Sequence, residues 1–210
     1  MPIIVVIAAL LVVVCAENVD VPPRCCFAKT WEGTMATAQT AGSQGSMTTS
    51  MMVMSYDISI KKFALQEMNN KFRVVADYNK STQYVITPDG KCTTSKLPSE
   101  MLTCIPDTAT FIETVVYGGP HGMVLDKWAL KLTEPGPLDV YLAVTRDTCV
   151  FVNEVIMGTI SGGPLWQAIE FSNITYAIKD PSVFNVPSPP CPADQDLNMV
   201  TGKTSFFMGL

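Results

Sequence analysis

The chain has 210 residues, of which 16% are charged, and a formal net charge of −5. Its Lys and Arg residues are scattered, so the sequence carries no basic patch of the kind that binds nucleic acid, and we expect no nucleic-acid partner. A chain of this length has the size of one domain and can bury a substantial core.

The N-terminus is predicted to be a secretory signal peptide, residues 1–16. Residues 3–14 form an unbroken apolar run, and compact residues precede a cleavage point after Ala16. The run is too short for a membrane span, which needs about 20 residues. Cys15 is a candidate bacterial lipoprotein cysteine, but Val14 is too bulky for the small residue that usually precedes one. We therefore expect a secreted, extracellular product, residues 17–210, folded as a single domain.

Cysteine number predicts a disulfide-bonded protein. After cleavage six cysteines remain: Cys25, Cys26, Cys92, Cys104, Cys149 and Cys191. An even number in an exported chain favours three disulfides, and the wide spacing matches no zinc-ligand pattern. Cys25 and Cys26 are neighbours, and a bond between them would need a strained ring, so each is expected to pair with a distant partner. The sequence alone leaves the pairing open.

Two glycosylation sequons follow from the same export route. They are Asn79-Lys80-Ser81 and Asn173-Ile174-Thr175. Asn79 lies in a polar stretch, whereas Asn173 lies in a strand-like run and must face solvent if it carries a glycan.

Short runs rich in β-branched and aromatic residues predict a mainly β protein. Alternating runs such as KFRVVADY and TQYVIT are separated by Gly and Pro clusters, and the Pro88-Asp89-Gly90 turn predicts a hairpin. The best helix candidates are the short segments PSEML and PADQDLNM. Eight or more strands with regular turn signals predict an antiparallel sandwich or an open barrel.

Catalytic and metal-binding patterns are weak. His121 is the single histidine and lies in a Gly-Pro turn, and no Gly-x-Ser-x-Gly elbow presents a serine. Glu113 and Asp126 are a candidate carboxylate pair on neighbouring strands, but acidic residues on strands usually face solvent. We expect no catalytic residue and no enzyme activity.

Calcium binding is left open by the sequence. No Asp-x-Asp-x-Asp-Gly loop is present. The nearest acidic clusters are Asp194-Gln195-Asp196 and Asp77 with Asp89. The metal ligands, if calcium is a cofactor, are therefore unknown.

Strands that are apolar on both faces indicate a cavity. Residues 51–54 read MMVM, and CVFVNEVIM is nearly as apolar. A sheet that curves around a ligand needs one apolar face for the core and one for the cavity, and methionine suits ligands of varying shape. We predict that Met52, Met54, Phe63 and Val152 line a ligand pocket. Core packing and a dimer contact are the competing interpretations.

Several separated motifs occur in the order found in one known family. They are CFAKTWEG from Cys26, Ser55-Tyr56-Asp57 followed by Lys62, DGKCTTSKL from Asp89, IPDTATF, Tyr117-Gly118-Gly119-Pro120 with Trp128, Asp147-Thr148-Cys149, and IKDPSVF from Ile178 followed by Pro and Cys191. In these motifs, which span nearly the whole mature chain, the sequence resembles the ependymin-related protein family.

This resemblance implies a fold and a function. Family members are similar in being secreted or lysosomal glycoproteins, in which two curved antiparallel sheets surround a deep apolar cavity, much as in bacterial carriers of lipoproteins or lipids. The implied partners are a hydrophobic or lipid-like molecule and a second subunit in a homodimer. Calcium binding and extracellular matrix contact are attributed to some relatives.

The resemblance also implies disulfide partners. It suggests Cys26 with Cys149 and Cys92 with Cys191, while Cys25 and Cys104 are additions to the vertebrate pattern. We infer Cys25 with Cys104 as a third bridge, and the exchange of Cys25 and Cys26 remains open.

The favoured function is an exported carrier or scavenger of a hydrophobic molecule. The alternative is a structural or adhesive glycoprotein of the extracellular matrix. The segment AIKDPSVFNVPSPPC, residues 177–191, is predicted to end the last strand at Asp180-Pro181 and to act as a C-terminal latch. In this latch, Val183, Phe184 and Val186 pack against the body of the protein and Cys191 fastens the end.

Overall fold

A computed structural model describes residues 20–41, 46–69, 71–97, 99–133, 136–160, 163–188 and 191–192. The predicted signal peptide, Asp194-Gln195-Asp196 and all of the PADQDLNM helix candidate except Pro192 lie outside these residues. The strands are β1 Thr30–Ala41, β2 Met47–Asp57, β3 Lys62–Glu67, β4 Arg73–Asp77, β5 Thr82–Ile86, β6 Cys92–Lys96, β7 Thr110–Tyr117, β8 Met123–Leu132, β9 Leu138–Thr145, β10 Phe151–Ile160 and β11 Gly163–Thr175.

All of these strands belong to one antiparallel sheet. Its strand order is β6-β5-β4-β3-β2-β1-β11-β10-β9-β8-β7, so β6 and β7 are the edges and the sheet is not closed. The prediction of a mainly β, antiparallel fold is confirmed. The expected two sheets are instead one, because β1 pairs with β2 on one side and with β11 on the other. This pairing joins two meanders of local hairpins into a continuous sheet.

Helical structure is sparse in the described part of the chain. A 3₁₀ turn, Pro181–Phe184, follows the last strand. The segment PSEML has no helix in its described residues, so that prediction was wrong. No helix among the described residues is long and apolar enough to cross a membrane.

Alternation along the strands gives the sheet two unlike faces. In β1 the odd-numbered residues from Trp31 to Gln39 are buried, whereas the even-numbered residues between them are only half-buried. Since successive side chains point to opposite faces, the register assigns each residue to one face. We call the face of Met35 the core face and the face of Ala36 the groove face. Large, fully buried side chains occupy the core face: Met35, Met52, Met54, Leu65, Trp128, Val140, Leu142 and Ile156.

Two segments cover the core face. The N-terminal residues 20–29 place Phe27 against Phe151, with the ring centroids 4.1 Å apart. The connection between β6 and β7 contributes Leu97 and Ile105 to the same apolar cluster. The backbone N–H of Phe27 donates to the carbonyl of Thr103 over 2.9 Å, which ties the two segments together. One continuous core therefore lies on this side of the sheet.

Disulfides fasten the N-terminal segment, with a pairing that corrects the inferred one. Cys25 is bonded to Cys149 and Cys26 to Cys104. This is the exchange of Cys25 and Cys26 that the sequence left open. Cys26 forms an isolated antiparallel bridge with Cys104. Since neighbouring residues of an extended segment point to opposite sides, Cys25 is directed away from Cys104 and meets Cys149.

The C-terminal residues 178–188 and 191–192 form a latch on the groove face. Phe184 is buried in an apolar cluster with Val75 and Tyr84, which belong to β4 and β5. Cys191 is bonded to Cys92 of β6, as the family resemblance implied. The latch covers the groove face of the sheet half built from β3 to β6 and leaves the other half open.

Hydrogen bonds hold the latch in place. Asp180 caps the 3₁₀ turn, since its carboxylate accepts from the backbone N–H of Ser182 over 2.9 Å. The guanidinium of Arg73 donates to the carbonyls of Ser182, Val183 and Asn185. The last strand ends at Thr175 rather than at Asp180, so Asp180-Pro181 begins the turn instead of ending the strand.

Candidate functional site

Small side chains form the floor of a groove on the open half of the groove face. Ala38 of β1 lies opposite Ala168 of β11, and Ala168 lies opposite Val155 of β10. Ala36 and Ala143 belong to the next row of the floor. Because alanine ends at Cβ, the floor stays close to the backbone and leaves space above it. The groove has a volume of about 1360 Å³, compared with roughly 300–1,000 Å³ for typical small-molecule sites.

Large apolar side chains surround this floor. Met51 of β2 and Met68 after β3 lie on one side of the groove, and Ile112 and Tyr117 of the edge strand β7 lie on the other. Tyr141 of β9 stands between them. Each of these five side chains is exposed. A cluster of exposed apolar side chains around a concave surface is typical of a binding site.

The row of the floor that contains Ala36 and Ala143 also carries polar side chains. Glu170 lies opposite Asn153, and Lys127 lies opposite Glu113, with Ala143 between the two pairs. The Nζ of Lys127 is 2.9 Å from a carboxylate oxygen of Glu113. Within the described residues Glu170 has no ion pair. The groove is thus amphipathic, with charged groups in one row and apolar groups in the next.

The turn between β3 and β4 is fixed by a buried carboxylate. Glu67 accepts hydrogen bonds from the backbone N–H groups of Lys71 and Asn69, both over 3.1 Å. These contacts, the Lys71 bond foremost, lower the pKa of Glu67 below its usual range. The turn therefore holds Met68 in a defined place at the groove wall.

Polar side chains are also buried on the core face, beneath the floor. Gln39 and Gln167 lie opposite each other on β1 and β11, and Glu154 lies on the next strand, β10. Gln167 is fully buried and Glu154 is 3% exposed. One carboxylate oxygen of Glu154 and both amide ends of Gln167 have no hydrogen-bond partner. Burial raises the pKa of Glu154 to about 8, so this carboxyl is protonated at neutral pH.

The predicted pocket residues divide between the two faces. Met52, Met54 and Phe63 are buried in the core on the core face, and only Val152 lines the groove. The cause is the period of two in a strand: in the apolar run of β2, Met51 points into the groove while Met52 points away from it.

The candidate catalytic residues do not come together. Glu113 lies opposite Lys127 whereas Asp126 lies opposite Thr114, so the two carboxylates point to opposite faces of the sheet. Asp126 is bound by Arg146, with an N···O distance of 2.6 Å. His121 is exposed in the turn between β7 and β8.

Cation ligands are likewise dispersed in the described part of the chain. Asp77 lies between Lys62 and Lys80, at 3.4 and 3.9 Å. Asp89 is 2.8 Å from Lys91. Among the described residues, no group of three or more His, Cys, Asp or Glu side chains is placed to hold a metal ion.

Comparison with known proteins agrees with the motif order. The sequence profile of the Ependymin family matches residues 66–191. The chain belongs to the ependymin family. No curated protein sequence matches it significantly.

Solved structures similar to this ependymin-family chain are distant in sequence. An uncharacterized conserved protein from Thermus thermophilus aligns with a TM-score of 0.50 and 7% identity, over 79% of this chain and 90% of that one. A LolA superfamily protein from Nitrosomonas europaea aligns with a TM-score of 0.40 and 7% identity, over 75% of this chain and 90% of that one. The likeness to the Thermus thermophilus protein is a likeness of fold alone.

Both sequons of this family member lie at the surface. Asn79 is exposed in the turn after β4, and its side-chain amide donates to the carbonyl of Ile60 over 2.9 Å. Asn173 is exposed near the end of β11, with a left-handed φ of 52°. Asn173 therefore faces solvent, as it must if it carries a glycan.

The floor of the groove was missed at the level of sequence. Its signal is the recurrence of alanine at alternate positions, Ala36 and Ala38 in β1, opposite Ala168 in β11. The prediction of the pocket relied on methionine instead, and Met52 and Met54 belong to the core.

Proposed function

We propose that this chain is an exported, non-catalytic glycoprotein that binds a hydrophobic, lipid-like molecule in the groove. The observation that carries the proposal is the groove of about 1360 Å³, with its alanine floor between exposed Met51, Met68 and Tyr141. Membership of the ependymin family and the disulfide-bonded fold are compatible with this function.

The chemistry of the groove suits a ligand with an alkyl chain and a polar end. An alkyl chain lying on Ala38 and Ala168 approaches the sheet closely, and each buried CH₂ group contributes about 0.8 kcal/mol. The polar end then reaches the row that holds Glu170, Lys127 and Glu113. A purely apolar ligand would leave that row without a partner, so an amphipathic molecule fits better.

Extraction of the purified protein is the direct test. Solvent extraction and native mass spectrometry of protein secreted from its expression host should release a bound amphipathic lipid in stoichiometric amount. Protein stripped of ligand should then take up a fluorescent single-chain lipid from solution. If neither extraction nor uptake detects lipid, the carrier function is wrong.

A groove-filling variant localises the binding. Ala168→Trp places a large ring on the floor and should weaken uptake of the fluorescent lipid about tenfold or more, as overpacking costs about 1–3 kcal/mol. The matched control is Thr93→Trp, which adds the same ring at an exposed position of the edge strand β6, away from the groove. Equal uptake by both variants would place the ligand elsewhere.

Self-association is the second candidate function, and the edge strand β7 favours it. Within the described strands, the outer side of β7 has no pairing partner. Val116 and Tyr117 are each 51% exposed, and Met123 of β8 is 50% exposed beside them. An apolar, unpaired edge is suited to pairing with another chain, as a homodimer or a matrix contact requires. Val116→Lys should shift the sedimentation coefficient toward the monomer, and an unchanged value would exclude this edge.

Glycosylation and calcium binding complete the proposal. Asn79→Gln and Asn173→Gln should each increase electrophoretic mobility of the secreted protein by one glycan. Calorimetric titration of chelator-treated protein tests whether calcium is a cofactor, and the absence of heat would exclude it.

A further inference from the structure

An apolar rim borders the groove at one end of the sheet. On the groove face, Met47 lies opposite Thr40, Thr40 opposite Trp166, and Trp166 opposite Met157. These residues form the row next to Ala38 and Ala168, one step further toward the ends of the hairpins. Met47 is 66% exposed, Trp166 39% and Met157 38%. We call Met47, Trp166 and Met157 the apolar rim.

The strands that carry the rim contain no charge over long stretches. Residues 33–56 and residues 155–169 have no Asp, Glu, Lys, Arg or His, although 16% of the chain is charged. The stretches cover one end of each of the hairpins β1–β2 and β10–β11, and these ends are neighbours because β1 pairs with β11. Among the described residues, the part of this sheet end built from β2, β1, β11 and β10 therefore carries Met, Trp and Thr side chains and no ionic group. On the next strand, Asp139 lies opposite Met157 and is paired with Lys131 at 3.5 Å.

We propose that the apolar rim docks onto a zwitterionic lipid surface. Tryptophan prefers the boundary between head groups and acyl chains, where its ring is apolar and its N–H remains hydrated. Met47 and Met157 flank Trp166 with flexible apolar side chains that enter the acyl boundary. The hydroxyls of Thr40 and Thr159, which belong to the described part of the same stretches, bond to head groups without the cost of removing a charge from water.

Charge selects a lipid surface over a protein partner and a zwitterionic surface over an anionic one. The rim residues carry no charge that could fix the orientation of a protein partner, and the adjacent Asp139 is already paired with Lys131. A lipid surface needs no such charge. The net charge of −5 repels anionic membranes. Binding should accordingly be insensitive to salt, since screening acts on charged groups.

The docking surface goes beyond ligand binding in the groove and does not require it. The rim is the first row outside the groove floor, so docking places the end of the groove at the lipid surface. A hydrophobic molecule then moves between membrane and groove with little apolar area exposed to water.

Intrinsic fluorescence tests the proposal on the unmodified protein. The chain has three tryptophans; Trp31 and Trp128 are 3% and 1% exposed, whereas Trp166 is 39% exposed. Titration with phosphatidylcholine vesicles should shift the tryptophan emission to the blue. Phosphatidylcholine brominated on its acyl chains should quench the emission of Trp166. An unchanged spectrum at saturating lipid overturns the proposal.

Variants assign the effect to the rim. Trp166→Ser and Met157→Ser should each lower the partition coefficient in vesicle co-sedimentation about tenfold. The control Ile60→Ser removes an exposed apolar side chain from the turn after β2, at the opposite end of that strand from Met47, and should leave partitioning unchanged. Equal losses in all three variants would overturn the assignment, as would vesicle-independent self-association that Trp166→Ser abolishes.

Two further experiments separate docking on a zwitterionic surface from binding to anionic lipid and from uptake of lipid into the groove. Binding that needs phosphatidylserine and disappears in high salt would contradict the proposal. Ala168→Trp should still co-sediment with phosphatidylcholine vesicles even where it fails to take up lipid, and Trp166→Ser should still take up fluorescent lipid from solution. Failure of the carrier function and failure of docking therefore give different results.

Discussion

Substitution of Glu154 by Gln should stabilise the protein at neutral pH. The carboxyl is 3% exposed and one of its oxygens has no hydrogen-bond partner. Burial raises its pKa from the ordinary value of 4.5 to about 8. The folded state therefore keeps the proton while the unfolded state loses it above about pH 4.5, and proton release favours unfolding. Glutamine has the shape of the protonated acid and does not titrate.

The size of the effect follows from the separation of the two pKa values. Each unit of pH above the unfolded pKa costs the folded state about 1.4 kcal/mol until the folded pKa is reached. Glu154→Gln should thus be more stable than the parent by about 3 kcal/mol at pH 7 and by nearly nothing at pH 4. For a chain of this length the melting temperature should rise by about 6–12 °C at pH 7.

Urea denaturation followed by tryptophan fluorescence at several pH values measures this difference. The matched control is Glu170→Gln, which removes an exposed carboxylate from the adjacent strand on the groove face and should change stability by less than about 0.5 kcal/mol. A gain that does not grow between pH 4 and pH 7, or a variant less stable than the parent at pH 7, would refute the reasoning.

The remaining predictions concern the disulfides and the latch. Cys25→Ser should expose Cys149 to a thiol reagent in denaturant while Cys26 stays protected, and labelling of Cys26 instead would contradict the observed pairing. Cys191→Ser should lower the free energy of unfolding by about 2–5 kcal/mol, as loss of a disulfide that closes a long loop does, and an unchanged urea midpoint would show that the latch adds no stability. Phe184→Ala should cost about 3 kcal/mol through the cavity it leaves between the latch and the sheet. If the Phe184 side chain made no contact with the sheet, unfolding followed by circular dichroism would show almost no loss of stability.

Strands and turns were predictable because their signals are local. The Pro88-Asp89-Gly90 turn predicts its hairpin, and β5 and β6 flank it as expected. Whether the strands form one sheet or two depends on the pairing of β1 with β11. That pairing joins residues far apart in the chain and has no local pattern, so the single sheet could not be inferred.

The latch was predictable for a different reason. Proline restricts the backbone of residues 178–188, and Phe184 and Cys191 supply an anchor at either end of the segment. The position of the groove was not predictable, because a strand that is apolar at every position does not reveal which face is covered. Met51 and Met52 are adjacent and chemically identical, yet one lines the groove and the other is fully buried.

Because the groove floor depends on the pairing of β1 with β11, the groove forms late in the synthesis of the chain. Strands β1 to β6 and strands β7 to β11 are each meanders in which neighbours in sequence pair, and such local contacts form early. The floor does not belong to either meander, because Ala38 comes from one and Ala168 from the other. While a chain emerges from the ribosome, β1 has one edge unsatisfied until β11 has been made. The ligand proposed for the groove therefore meets no complete site on a nascent chain. The site is complete only when the first and last of the described strands have paired at the centre of the sheet.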